Sequence, residues 1–203
     1  MNHRAESNAP FLLLLFLISP FVVADSKVPK PAANSQAASI PGVEKQDLFE
    51  ARTGGYTNYR IPGIVITEGG TLLAWCEARK EKGYDWDPID VLLRRSTDGG
   101  KTFSEPRSIA TAPADARENP VAVAKHLGGH GITLNNPVLI AGPGETVHFV
   151  YCVNYGRCFY CRSNDDGKTF SSPTEITATF DKFRPQYDWK VIGTGPGHGI
   201  RLT

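Results

Sequence analysis

The chain carries Arg95-Ser-Thr-Asp-Gly-Gly-Lys-Thr-Phe-Ser-Glu-Pro-Arg-Ser-Ile109 and, 67 residues later, Arg162-Ser-Asn-Asp-Asp-Gly-Lys-Thr-Phe-Ser-Ser-Pro-Thr-Glu-Ile176, with ten of the fifteen positions identical. Each copy follows a short run rich in β-branched and aromatic residues. Self-similarity over such a length indicates a repeated supersecondary unit. We therefore expect a chain assembled from copies of one β-hairpin.

The shared residues of the two copies suit a tight chain reversal. An Asp side chain accepts backbone N–H groups across a turn, and Gly takes the positive φ that the reversal requires. The Phe that follows packs under the turn as its hydrophobic anchor. A hairpin staple is favoured over the alternative, an acidic loop that binds a ligand. The residues concerned are Ser96, Asp98, Gly100, Thr102 and Phe103 in the first copy and Ser163, Asp165, Gly167, Thr169 and Phe170 in the second.

The rest of the mature sequence is also typical of an all-β protein. Apolar residues show no sustained helical periodicity, and short β-rich runs alternate with Gly-containing turns. The offset between the two copies exceeds the roughly 50 residues of one four-stranded unit. The excess fits a polar insertion without strand pattern at residues 111–136. The predicted strands are residues 61–67, 71–76, 89–94, 137–140, 146–153 and 157–162.

The composition limits the classes of protein to which the chain can belong. The 203 residues include 22 Lys+Arg and 21 Asp+Glu, and 40% are hydrophobic, which is ordinary for a globular chain. A formal net charge of +1 provides no basic field for a nucleic-acid partner.

The first residues read as a secretory signal peptide. An apolar run at residues 11–23 follows Arg4 and ends in Val22-Val23-Ala24, which places cleavage after Ala24. An uncleaved anchor is the alternative, but the run is shorter than a membrane span. Residues 1–24 are thus predicted to be removed and 25–44 to form a Pro/Ala/Ser-rich linker, followed by the fold at 45–203. The mature protein is expected to be secreted or periplasmic and to have no membrane partner.

Four cysteines occur, at positions 76, 152, 158 and 161. An exported chain permits disulfides, and at most one pair among the last three is expected. The Cys158-x-x-Cys161 spacing raises a zinc or redox interpretation, but no second Cys/His pair stands at ligand spacing. Structural or unpaired cysteine is favoured, with no metal and no cofactor.

Three charged residues upstream of the first repeat are candidates for chemistry. Arg60 precedes Ile61-Pro62, and a guanidinium offers a rigid fork for a carboxylate. Arg79 is followed by a Gly-containing loop, so both arginines are candidates for one anion site. Asp85 lies between Tyr84 and Trp86, where poorly hydrated surroundings would favour the neutral carboxyl of a general acid.

Other interpretations of these charged residues remain open. Arg60 is also compatible with an ordinary surface ion pair, and Arg79 with a solvated charge at the end of a strand. Asp87 and Asp90 compete with Asp85 for the acid role, although Asp87 precedes a proline as a turn former does and Asp90 falls in a strand pattern.

The repeats resemble the Asp-box, or bacterial neuraminidase repeat, of β-propellers. With Tyr-Arg-Ile-Pro at 59–62, Arg79, the Asp85 loop and Leu-Arg-Arg-Ser at 93–96, residues 48–203 resemble the N-terminal part of an exo-α-sialidase with a six-bladed β-propeller. The resemblance implies that Arg60 clamps the carboxylate of sialic acid and that Arg79 lines that subsite. It also implies that Asp85 protonates the glycosidic oxygen and then activates water.

The resemblance implies an incomplete active site. The nucleophilic tyrosine, its glutamate and two further arginines of the family belong to later blades, and no tyrosine here is assigned that role. Six blades need roughly 300 residues, so about three blades and an inactive fragment are expected. The substrate would be a sialylated glycoconjugate. The alternatives are a non-catalytic Asp-box propeller that binds carbohydrate or protein, and a glycosidase for another acidic sugar.

Overall fold

A computed structural model describes residues 44–128 and 131–202. The predicted signal peptide at 1–24 and all but the last residue of the predicted linker lie outside the described residues. The features below belong to the compact unit that begins at Lys45. Within the described ranges, no helix is long and apolar enough to cross a membrane.

Eight strands form two four-stranded antiparallel sheets, each in sequential order. The six longer strands coincide with the six predicted ones, and each is paired to its neighbour as a meander. The described residues thus contain two such sheets, where about three blades were expected. The first sheet comprises β1 Asn58–Ile66, β2 Leu72–Arg79, β3 Ile89–Ser96 and β4 Arg107–Ser108; the second comprises β5 Leu134–Ala141, β6 Val147–Val153, β7 Arg157–Ser163 and β8 Thr174–Glu175.

Two short helices interrupt the β architecture, and the sequence patterns did not predict them. The first, α1 at Pro120–Lys125, lies in the predicted insertion; the side chain of Asn119 caps it by accepting the N–H of Val121 at 2.9 Å. Proline at its first position suits a helix start, because the missing N–H has no partner there. The second, α2 at Thr177–Asp181, follows β8. Both are too short to show a helical periodicity.

The main core lies between the two sheets. Alternate residues along each strand point to the same face, so each sheet turns one apolar stripe toward the other. Trp75 is central to it: its ring is buried, and its Nε1–H donates to the Pro137 carbonyl of the second sheet at 3.1 Å. The cluster includes Leu73, Trp75, Val91 and Leu93 from the first sheet and Leu139, Val147, Phe149, Tyr151, Phe159 and Cys161 from the second.

The first strand of each sheet carries the same irregularity. Two residues, Ile61-Pro62, oppose one residue of β2, and Asn136-Pro137 likewise oppose one residue of β6. The residue before the proline takes a left-handed conformation in both, with φ of 52° and 53°. Such bulges bend a strand and redirect the neighbouring side chains. A Cβ on Gly63 would lie 2.1 Å from the Trp75 ring, so only glycine fits after the first bulge.

The two repeated turns, residues 96–103 and 163–170, have the same hydrogen bonds. In the first, Asp98 accepts the N–H of Thr102 at 2.9 Å and its hydroxyl at 2.6 Å, while Ser96 Oγ accepts the N–H of Gly100 at 2.9 Å. In the second, the corresponding distances around Asp165 are 2.8, 2.6 and 2.9 Å. Each turn thereby joins the third strand of its sheet to the short fourth strand.

Candidate active site

The first bulge and the end of β2 bring two arginines to one edge of the first sheet. Arg60 pairs with Glu77 in the register of β1 and β2, and Arg79 ends β2 two residues later. The loop that leaves β2 spans residues 80–88 and carries Asp85. The chain therefore returns Asp85 to the edge where both guanidinium groups lie.

Both arginines meet the same carboxylate oxygen. Arg79 Nη1 lies 2.5 Å from Asp85 Oδ1, and Arg60 Nη1 lies 3.5 Å from that oxygen. The Arg79 side chain is 1% exposed, whereas those of Arg60 and Asp85 are 55% and 58% exposed. One guanidinium is thus fixed in the protein, and the other two groups of the cluster face solvent.

A residue that the sequence interpretation missed fixes Arg79. Glu77 is fully buried, and its Oε2 accepts from Arg79 Nε at 3.1 Å and Nη2 at 2.6 Å. Burial raises the pKa of Glu77, and hydrogen bonds from Asn136 and Arg79 oppose that rise. Burial also lowers the pKa of Arg79, but hydrogen bonds and charges of Glu77 and Asp85 outweigh it, so that pKa is raised.

Glu77 also connects the site to the second sheet. Its Oε1 accepts the backbone N–H of Asn136, in the second bulge, at 2.8 Å. The Asn136 amide in turn donates to the Gly195 carbonyl at 2.8 Å. Contacts therefore run from the second bulge through Glu77 and Arg79 to Asp85. The sequence held a signal for this pair, because residues two apart in a strand share one face.

The prediction of a poorly hydrated environment for Asp85 is wrong. Its carboxylate is exposed and paired with cations, whereas a poorly hydrated aromatic environment was expected. The neighbouring rings point elsewhere: Trp86 packs on Tyr155 with centroids 4.6 Å apart, and Tyr84 is largely exposed. Aromatic neighbours in sequence do not surround a side chain when the loop turns each residue in a different direction.

The two competing aspartates have architectural contacts. Asp87 is buried, and its Oδ2 accepts the N–H of Tyr84 at 2.8 Å, as a turn-forming aspartate does. Asp90 accepts the Tyr56 hydroxyl at 2.6 Å and pairs with Lys80 at 2.8 Å.

Curated relatives of the chain are sialidases. A sialidase of Micromonospora viridifaciens is 35% identical over 92% of this chain and 30% of its own length. A sialidase of Bacteroides fragilis is 30% identical over 80% of this chain and 32% of its own length. The chain thus spans about a third of these two relatives. No family model matches it.

Solved structures agree on the fold. A Trypanosoma rangeli sialidase superposes with a TM-score of 0.51 over 70% of this chain and 26% of that one, at 17% identity. The chain is sialidase-like. The likeness to the solved structure concerns the fold, and a closed propeller is not among the described residues.

The edge that carries Arg60, Arg79 and Asp85 has the chemistry of an anion site. A buried guanidinium cannot lose its proton and has little conformational freedom, so Arg79 presents a fixed positive charge. Arg60, on the bulge, is half-exposed and free to take another carboxylate in place of Asp85. A carboxylate and two guanidinium groups at one edge supply an anion cradle and a group able to exchange protons.

The geometry of the Cys158-x-x-Cys161 pair does not suit a shared metal or a disulfide between these two thiols. All four thiols are buried and unbridged. Cys158 and Cys161 lie three positions apart on β7, so their side chains point to opposite faces of the sheet. No group of three or more His, Cys, Asp or Glu residues in ranges 44–128 and 131–202 is placed to hold a metal ion.

Proposed function

We propose that these residues form the N-terminal part of an exo-α-sialidase, a retaining glycoside hydrolase that releases terminal sialic acid from glycoconjugates. One observation carries the proposal: Arg60 and Arg79 both lie within ion-pair distance of Asp85. The sialidase relatives support the substrate class, and the T. rangeli sialidase was solved as a covalent intermediate with 2,3-difluorosialic acid. A protein with a purely structural role would not require Arg60, Arg79 and Asp85 together on an exposed edge.

Arg60 would bind the carboxylate of sialic acid. Its 3.5 Å contact with Asp85 is long, and both side chains are more than half exposed, so exchange of one carboxylate for another costs little. Arg79, fixed by Glu77, would remain beside the site as a permanent cation. The pair of guanidinium groups would orient the sugar ring at its anomeric carbon, which bears the carboxylate.

Asp85 would then act as general acid and base. When the substrate carboxylate binds Arg60, Asp85 loses one of its two cationic partners and keeps the other, Arg79. Its carboxyl would donate a proton to the departing glycosidic oxygen and later take a proton from water.

We assign none of the remaining catalytic groups of a sialidase to these 203 residues. The tyrosine nucleophile, its glutamate and two arginines would lie in a region equivalent to the part of the relatives that this chain does not span. A tyrosine nucleophile departs from the two-carboxylate pattern of most retaining glycosidases. We propose that the 203 residues alone are inactive. The signal peptide predicted at residues 1–24 supports a secreted or periplasmic location for the protein.

The test is Asp85→Asn in the full-length polypeptide that contains these residues. Turnover should fall by about 10²–10⁴-fold on a sialoside with a poor leaving group and much less on an activated aryl sialoside, because only the former needs a proton. Glu81→Gln removes an exposed carboxylate from the same loop and should leave both rates unchanged. Equal losses on both substrates, or unchanged turnover, would contradict the acid role of Asp85, and absence of turnover in the wild-type polypeptide would favour a non-catalytic propeller.

A further inference from the structure

Two cysteines face each other across the β6–β7 hairpin. Cys152 and Cys158 are partners in the strand register, next to the Val153–Arg157 pair that closes the hairpin. Their Sγ atoms lie 3.3 Å apart, and neither residue has exposed surface. Two thiols in van der Waals contact inside a sheet need only a small movement to reach the 2.05 Å of an S–S bond.

The backbone at this position suits a bridge. The Cys158 N–H donates to the Thr177 hydroxyl at 3.0 Å, and its carbonyl accepts the N–H of Ile176 at 2.8 Å. Both groups therefore point away from β6, so Cys152 and Cys158 form a non-hydrogen-bonded antiparallel pair. In such pairs the Cα atoms are about 4.5 Å apart, within the range of disulfides.

The other two thiols have no comparable partner among the described residues. Cys161 points to the opposite face of β7 and packs in the core between the sheets. Cys76 is buried on β2, in the first sheet, where no other cysteine stands. Only one pairing of the four cysteines is therefore compatible with this fold.

We propose that Cys152 and Cys158 form a disulfide when the chain folds in the presence of a small-molecule disulfide oxidant. The Cys152 thiolate attacks the oxidant and releases one thiol; the Cys158 thiolate then attacks the mixed disulfide and releases the second. Two protein thiols are oxidised and one oxidant disulfide is reduced to two thiols. The same bond forms whichever of the two thiols attacks the oxidant first.

The bridge would fix a hairpin tip that contacts the candidate site. Tyr155, at the tip, packs on Trp86, the residue after Asp85. Residues 192 and 194 cover the same region: the Ile192 N–H donates to the Tyr155 carbonyl at 2.9 Å, and Thr194 Oγ1 lies 3.7 Å from Cys152 Sγ. Because both sulfur atoms are buried beneath this segment, thiol–disulfide exchange with the oxidant should occur during folding and only slowly in the folded chain.

The chain offers a direct test by proteolytic mapping. The full 203-residue chain is refolded with oxidised glutathione, free thiols are alkylated in denaturant, and the unreduced protein is digested with trypsin. Cleavage after Lys125, Arg157 and Arg162 puts Cys152 in peptide 126–157 and Cys158 in peptide 158–162. We expect these two peptides to be linked, and the link to vanish on reduction.

Peptide 158–162 also contains Cys161, so a matched pair of variants assigns the bond. Cys161→Ser should keep the link, and Cys158→Ser should lose it. If Cys158→Ser does not fold, Cys161→Ser alone decides, because Cys158 is then the only thiol of the short peptide. Alkylation of both Cys152 and Cys158 after oxidative refolding would overturn the proposal, as would a link that survives in Cys158→Ser or one to Cys76.

Discussion

Glu77 is the residue on which the geometry of the candidate site depends. It is fully buried, and its two oxygens bind the second bulge at one end and Arg79 at the other. Removal of one member of a buried ion pair leaves the other desolvated without compensation, which typically costs 3–5 kcal/mol. We expect Glu77→Gln to lower the free energy of unfolding by about 3 kcal/mol, the lower end, because Asp85 still contacts Arg79. Denaturant unfolding measures this.

The chain provides a matched control on its surface. Arg157 contacts Glu175 at 3.1 and 2.6 Å, the same distances as in the buried pair, but both side chains are about a third exposed. Exposed pairs contribute little, so Glu175→Gln should change the free energy of unfolding by no more than about 1 kcal/mol. Equal losses in the two variants would show that burial does not set the strength of the Glu77–Arg79 pair.

At the scale of elements, the two repeated turns should contribute to how the stability of the chain responds to acid. Hydrogen bonds from threonine and serine lower the pKa of Asp98 to about 2. In the second turn burial opposes the same bonds, and the pKa of Asp165 is still lowered to about 2. A lowered folded-state pKa stabilises the fold above the unfolded value of 3.8, and that contribution is lost as pH falls toward 2.

The prediction concerns the double variant Asp98→Asn/Asp165→Asn. Its free energy of unfolding should be lower than that of the wild type at pH 7, and the difference should shrink between about pH 4 and 2 as the wild-type carboxylates take up protons. Urea unfolding at a series of pH values measures both curves. Parallel curves through this range would contradict the assignment of the acid response to the turns.

The elements differ in how far the sequence predicts them. Runs of β-branched residues between glycine turns identify the six longer strands within a few residues, because a strand pattern is local. No local sequence pattern predicts the two bulges. Ile61-Pro62 and Asn136-Pro137 are recognisable only from the strand register, in which two residues oppose one. The surroundings of Asp85 depend on where its loop folds back, which no local pattern of aromatic residues determines.

At the scale of the whole molecule, the second repeated turn joins the two sheets. Asp166 is buried there, and its carboxylate accepts the hydroxyl of Thr71, the residue that precedes β2 of the first sheet. Its backbone carbonyl accepts from Arg95 Nε at 2.9 Å, and the Arg95 Nη2 group lies 3.9 Å from the carboxylate. The first turn has Gly99 at the equivalent position, exposed and with open space around it. The same hairpin thus serves as a surface turn in one sheet and as a joint in the other.

Exchanging these two residues separates the two roles. Asp166→Gly keeps the left-handed backbone but removes the acceptor of a buried hydroxyl, so we expect it to lower the free energy of unfolding by about 1–3 kcal/mol. Gly99→Asp places the same side chain in solvent, in a conformation that aspartate tolerates, and should cost less than about 1 kcal/mol. Thermal and urea unfolding of both variants measure the difference. If the two substitutions lower the free energy of unfolding equally, the contacts of Asp166 with the first sheet do not stabilise the packing of the sheets. The apolar core between the sheets would then be what holds them together.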